Sequence, residues 1–167
     1  MPGPVPSPVR IRPYREADFD LLVARWHETN LASFRYVAAQ QRYTLEDARA
    51  FFRGRLLVEC EVWVAETDSG MLAMIGLGPG WIRHLSVFPE HQRRGVGTML
   101  LAKARERNPA GLSLYTFQRN APARAFYEHH GFRAVEFGIS PAPEREPDVL
   151  YRWDAGAAGL SDRATAS

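Results

Sequence analysis

Cysteine is nearly absent: Cys60 is the only one in 167 residues. No intramolecular disulfide can form, so a reducing compartment is expected. Long apolar runs are missing too, and no uninterrupted stretch nears the roughly 20 residues that a membrane-spanning helix needs. Neither charge sign dominates. The net charge of +2 is too slight for the concentrated basic face that nucleic acid requires. No Cys/His set has zinc-ligand spacing, and the adjacent His129 and His130 cannot face one metal together. There is no repeat of solenoid length and no Walker loop of the form G-x-x-x-x-G-K-[ST]. These absences lead us to expect a cytoplasmic, metal-free protein with neither nucleic acid nor membrane as partner.

What remains is ordinary globular composition, 46% hydrophobic and 24% charged, and enough chain for one domain with a substantial core. Residues 1–8 are rich in proline and lack the basic and apolar regions of a signal peptide, so they read as a disordered lead-in. Residues 155–167 are small, polar and glycine-bearing and read as a flexible tail. A single domain is expected over 9–154. Cys60 lies in an apolar stretch and is expected to be a buried small residue.

The most informative segment is Gln92-Arg93-Arg94-Gly95-Val96-Gly97. It follows a strand-like run, Trp81 to Phe88, and leads into a helix-like run, Thr98 to Arg107. A glycine turn between strand and helix gathers main-chain amides and the free N–H groups of the first helical turn around one point, where the helix dipole favours an anion. Side chains at Gly95 or Gly97 would crowd that anion, and Arg93 and Arg94 add positive charge beside it. The third glycine of the dinucleotide fingerprint is missing. Taken alone, the turn is equally an ordinary strand-to-helix connection with two solvated arginines.

A second strand-turn-helix unit follows. Leu112 to Phe117 is strand-like, Asn120 is a good N-cap, Pro122 suits the first turn, and Gly131 suits the C-terminal stop. Upstream, Val9 to Arg12 reads as a strand. Ala17 to Asn30 reads as an amphipathic helix with Phe19, Leu22, Val23 and Trp26 facing the core. Thr44 caps a helix carrying Leu45, Ala48 and Phe52 on one face. Leu57 to Glu66 and Met71 to Leu77 read as strands joined by the turn Asp68-Ser69-Gly70. The helix after the glycine turn should pack through Val96, Met99, Leu100 and Ala104. Arg133 to Ile139 and Val149 to Trp153 are the last expected strands. Strand-helix units flanked by further strands imply a layered α/β domain, and the hairpin makes its sheet mixed.

Gln92-x-x-Gly95-x-Gly97, followed by Asn120-x-x-Ala123-x-x-Phe126-Tyr127-Glu128-x-x-Gly131-Phe132, resembles the GNAT superfamily of acyl-CoA-dependent N-acetyltransferases in motif order and separation. The strong match covers 81–132, with looser agreement over about 9–153. The resemblance implies a three-layer fold: a twisted mixed sheet of six to seven strands, splayed between strands 4 and 5, with helices on both faces.

It also implies acetyl-CoA as cosubstrate. Gln92, Arg93, Arg94, Gly95, Val96, Gly97 and Thr98 would hold the pyrophosphate. The strand edge at Leu85, Ser86 and Val87 would pair with the pantetheine amides like an added strand. Asn120 would contact pantetheine as well as, or instead of, capping its helix. Tyr127 matches the family's general acid: a phenol is protonated at neutral pH and can donate to a departing thiolate. The general base is less evident. Strand alternation puts Trp81 and Arg83 on the face shared with Leu85 and points His84, the candidate base, to the opposite face unless a bulge changes the parity. Tyr115 occupies a second family position for a base. The activity implied is acetyl transfer to a small-molecule or peptide primary amine by direct attack in a ternary complex, in a monomer or homodimer. The alternative is a catalytically silent acyl-CoA sensor or interaction module. Trp26, His27, Phe34, Tyr36, Phe137 and the acidic 144–148 loop are candidate acceptor walls, and that loop reads equally well as a solvated one.

Overall fold

The computed structural model describes residues 7–156. Most of the expected lead-in and tail lies outside this span. Seven strands form one sheet in the order β1-β2-β3-β4-β5-β7-β6. They are β1 (Arg10–Pro13), β2 (Glu61–Thr67), β3 (Gly70–Gly78), β4 (Trp81–Val87), β5 (Gly111–Phe117), β6 (Arg133–Ile139) and β7 (Pro147–Asp154). All neighbours pair antiparallel except β4 and β5, which are parallel and share only the couple Trp81–Ser113. Beyond that couple the two strands diverge. This is the mixed, splayed sheet that the sequence led us to expect.

Helices cover both faces. On one side lie α1 (Phe19–Ser33), the short α2 (Ala38–Gln41) and α3 (Leu45–Phe51). Phe19, Leu22, Val23 and Trp26 of α1 are all buried, as their 3.6-residue spacing requires. Thr44 caps α3 reciprocally. Its hydroxyl accepts the Asp47 N–H at 3.1 Å, and the Asp47 carboxylate accepts the Thr44 N–H at 2.9 Å. Ala48 and Phe52 are buried there, whereas Leu45, expected on the same face, is exposed. The helix continues through a π-helical stretch, Phe52–Leu56, into α4 (Leu57–Glu59). The strand expected from Leu57 therefore starts at Glu61. The π-helical stretch carries Arg53, Gly54 and Arg55 between the buried Phe52 and Leu56, and its widened turn breaks the 3.6-residue period that a sequence can display. Cys60, at this junction, is only partly buried.

On the other side lie α5 (Val96–Arg107) and α6 (Ala121–His129). Val96, Leu100, Leu101 and Ala104 of α5 are buried, while Met99, expected in that set, is exposed. These residues join Ile82, Leu112, Leu114, Tyr127, Phe132, Val149 and Tyr151 in one core. Burying a Leu of this kind contributes about 1.5–3 kcal/mol. No helix among the described residues is long and apolar enough to cross a membrane.

Candidate active site

The turn before α5 is built as an open cradle. Arg93 and Gly95 both have positive φ, 61° and 82°, which only glycine adopts without strain. The first main-chain bond of α5 runs from Met99 N–H to Gly95 C=O at 3.2 Å, leaving the amides of Val96, Gly97 and Thr98 without a helical acceptor. A Cβ on Gly97 would lie 3.3 Å from the Phe126 ring, so glycine lets α5 and α6 approach. Gln92 reaches back to the Val87 carbonyl at 3.0 Å.

This cradle opens into a cleft of about 680 Å³. Leu85, Ser86, Val87, Gln92, Arg93, Gly95, Val96, Gly97, Thr98 and Asn120 all line it. Arg94, expected among them, does not. The Asn120 carboxamide oxygen accepts the Ala123 N–H at 3.3 Å, so this residue is a helix cap whose side chain also borders the cleft. The divergence of β4 from β5 leaves the β4 edge beyond Trp81 without a β5 partner. Free strand-edge amides and carbonyls therefore face the gap. Anion-binding amides at one end and an unpaired strand edge at the other suit an extended phosphate-tailed molecule such as CoA. No group of acidic, His or Cys residues among those described is arranged to hold a metal ion.

A second cavity of about 580 Å³ lies beyond the splay, bounded by Trp26, Phe34, Arg83, His84, Tyr115 and Phe117 together with β6 and β7. Tyr127 borders both spaces. It is 7% exposed, its ring packs edge-on against Phe126 and Phe132, and burial holds its phenol above the ordinary value. The hydroxyl therefore stays protonated at neutral pH.

The β4 bulge decides the question of parity. Gly76 pairs with His84 and Leu77 with Ile82, so Arg83 is an extra residue. Ile82, Leu85 and Val87 consequently all pack toward α5. Trp81 leaves the face that alternation assigned to it and stacks on Tyr115, with centroids 5.7 Å apart. His84 faces the other helical layer, edge-on to Trp26 and Phe51. Burial, then the charges of Arg83 and Arg55, depress its pKa to about 4, so the imidazole is neutral at physiological pH.

Other expectations divide. Tyr36 borders the cofactor-side cleft, and neither His27 nor Phe137 reaches either space. The exposed Glu128 accepts the Tyr151 hydroxyl at 2.5 Å. His130 sits 3.2 Å from Thr98. No sequence signal marks Asn30, Ser86 or Glu136 as walls of the second cavity. Asn30 is placed by the α1 crossing, Ser86 by the β4 register, and Glu136 by a β6 bulge between Ala134 and Glu136.

A glycine turn with free amides, a splayed sheet and a buried phenol between two cavities fit an acyl-CoA-handling class of α/β protein. The comparisons agree. Residues 58–134 match the acetyltransferase (GNAT) domain family. The chain is 27% identical over 127 residues to the peptidyl-lysine N-acetyltransferase YiaC of Escherichia coli, covering 75% of this chain and 84% of that protein. It is 31% identical over 151 residues to a mycothiol acetyltransferase of Beutenbergia cavernae, covering 81% of this chain and 50% of that one. The solution structure of apo YjaB from Escherichia coli superposes with a TM-score of 0.73 at 24% identity, over 87% of this chain and 97% of that one. These matches to acetyltransferases support an acyltransferase, with the GNAT domain match confined to residues 58–134.

Proposed function

We propose that the protein moves an acetyl group from acetyl-CoA to a primary amine by direct attack within a ternary complex. The observation that carries this reading is the position of Tyr127, bordering the cofactor-side cleft and the acceptor-side cavity at once. The amides of Val96, Gly97 and Thr98 would hold the pyrophosphate, with Arg93 beside it, and the unpaired edge at Leu85 to Val87 would align the pantetheine arm. Acetyl-CoA supplies a thioester: its C–S bond breaks as the amine nitrogen forms the new C–N bond, nitrogen loses a proton, and sulfur gains one. Tyr127 gives the departing sulfur a hydrogen bond and its proton. Its raised pKa favours keeping that proton until negative charge develops on sulfur.

His84 borders the acceptor cavity but is weakly basic, since protonating it would charge a group walled by Trp26 and Phe51. In this reading the amine enters largely as the free base, and His84 at most orients it. The lone cysteine and the proposed acetyl-CoA dependence favour a cytoplasmic location.

The test is CoA release over a panel of amines with the wild-type protein and Tyr127→Phe. Turnover slowed in the variant supports the reading. Acetyl-CoA binding without turnover of any amine, and with Tyr127→Phe indistinguishable from wild type, would instead establish a silent binding module.

A further inference from the structure

The acidic residues around the β6–β7 connection have unequal partners. Glu144 accepts from Gln40 at 3.1 Å, and Glu146 pairs with Arg119 at 2.6 Å. Asp148 has neither kind of partner. Its carboxylate makes no ion pair and accepts no side-chain hydrogen bond among the described residues. Gln118 donates to its main-chain carbonyl instead, at 2.9 Å. Yet Asp148 is 8% exposed and forms part of the acceptor-cavity wall. Burying a carboxylate without a partner is costly, and this one is held above its ordinary pKa first by burial and then by the charge of Glu136.

Strand register explains where the group points. Phe117, Asp148 and Gly138 form one row across β5, β7 and β6, and Tyr115, Leu150 and Glu136 form the next. Residues paired in this way share a face, and Phe117 places it: its ring lies edge-on to Phe34 at the end of α1. A Cβ at Gly138 would lie 3.3 Å from the Asp148 carboxylate, so glycine there leaves the group room. Arg83, the cation on the cavity wall, is turned away over the Trp81 ring, 4.6 Å from its centroid. The cavity thus joins an apolar aromatic stretch to two neighbouring carboxylates with no counter-charge.

We propose that the acceptor is an amine carrying a second cationic group on an aliphatic spacer. Asp148 and Glu136 hold that second cation, the rings of Trp26, Phe34, Tyr115 and Phe117 pack on the spacer, and the reacting nitrogen lies toward Tyr127. This deepens the acyl-transfer reading of the same cleft and rests on it.

Calorimetric titration of the CoA-loaded protein with cadaverine and with pentylamine, which have equal carbon counts, tests the assignment. Cadaverine should bind about tenfold more tightly or better. Asp148→Asn should bring the two amines to similar affinity, and Glu136→Gln should narrow the gap. Because Glu136 lies on an exposed strand, its variant carries the test if Asp148→Asn fails to fold. Equal affinities in the wild type, including no measurable binding of either amine, overturn the proposal, as does a preference that survives both substitutions. Thiol release, scored separately, distinguishes the two readings. A diamine preference without release would sink acetyl transfer and leave the cation site standing, and release without the preference would do the reverse.

Discussion

Tyr127 is held so that it keeps its proton, yet it borders both cavities. In the proposed reading Tyr127 is the general acid, and such groups contribute about 10²–10⁴-fold to rate. Tyr127→Phe should therefore lower kcat at least about a hundredfold while leaving the calorimetric Kd for acetyl-CoA unchanged. His84 makes a prediction of a different kind. Its folded pKa of about 4 lies below the 6.5 of a free imidazole, so between those values the unfolded chain takes up a proton that the folded one refuses. Stability should be fully present above about pH 6.5 and fall toward pH 4, by at most about 3 kcal/mol from this residue. Melting temperature followed across that range should show a shallower acid loss in His84→Gln. The helix that carries Tyr127 was legible in the sequence because its cap and stop residues are regular ones. The direction of His84 was also legible, because local alternation holds on the C-terminal side of the bulge. Trp81 was misassigned, because one extra residue at Arg83 reverses every side chain before it.

Among the elements, α5 and its glycine turn carry the binding argument. Gly95→Ala meets no neighbouring atom but keeps φ at 82°, a conformation that costs an L-residue about 1–2 kcal/mol. Gly97→Ala gains about 1 kcal/mol of helix propensity but presses the Phe126 ring at 3.3 Å. The first variant should lower the melting temperature. The second should leave it nearly unchanged and weaken acetyl-CoA binding about tenfold, since Phe126 borders the cleft. Unaltered binding in both variants, measured by calorimetry, would mean that the turn is only a connection. Helices with a steady 3.6-residue period and a capping residue, such as α1 and α3, could be read from the sequence. The α3–α4 helix ran past its expected end because the π-helical stretch through Gly54 breaks that period. β6 was found although each of its residues is exposed, because its sequence is bounded by Gly131 on one side and proline on the other.

At the scale of the whole molecule, the account depends on one sheet opening between β4 and β5, where a single paired couple holds two strands that then part. This produces two spaces that meet at one phenol, and neither space belongs to a single element. For that reason the mixed sheet and its splay could be expected from the motifs and the resemblance they carry, whereas the insertion of β7 between β5 and β6 and the walls of the second cavity could not. Those walls come from α1, β4, β5, β6 and β7 and depend on two bulges. A ligand that spans the gap should stabilise the whole fold: at a hundredfold excess over its Kd, acetyl-CoA should add about 2.7 kcal/mol, visible as a rise in melting temperature. The most direct measurement is a crystal structure of the protein with CoA. The account predicts pyrophosphate oxygens on the amides of Val96, Gly97 and Thr98, the pantetheine arm against the β4 edge from Leu85 to Val87, and the sulfur within hydrogen-bonding reach of the Tyr127 hydroxyl. CoA bound elsewhere, or its sulfur directed away from Tyr127, would contradict it.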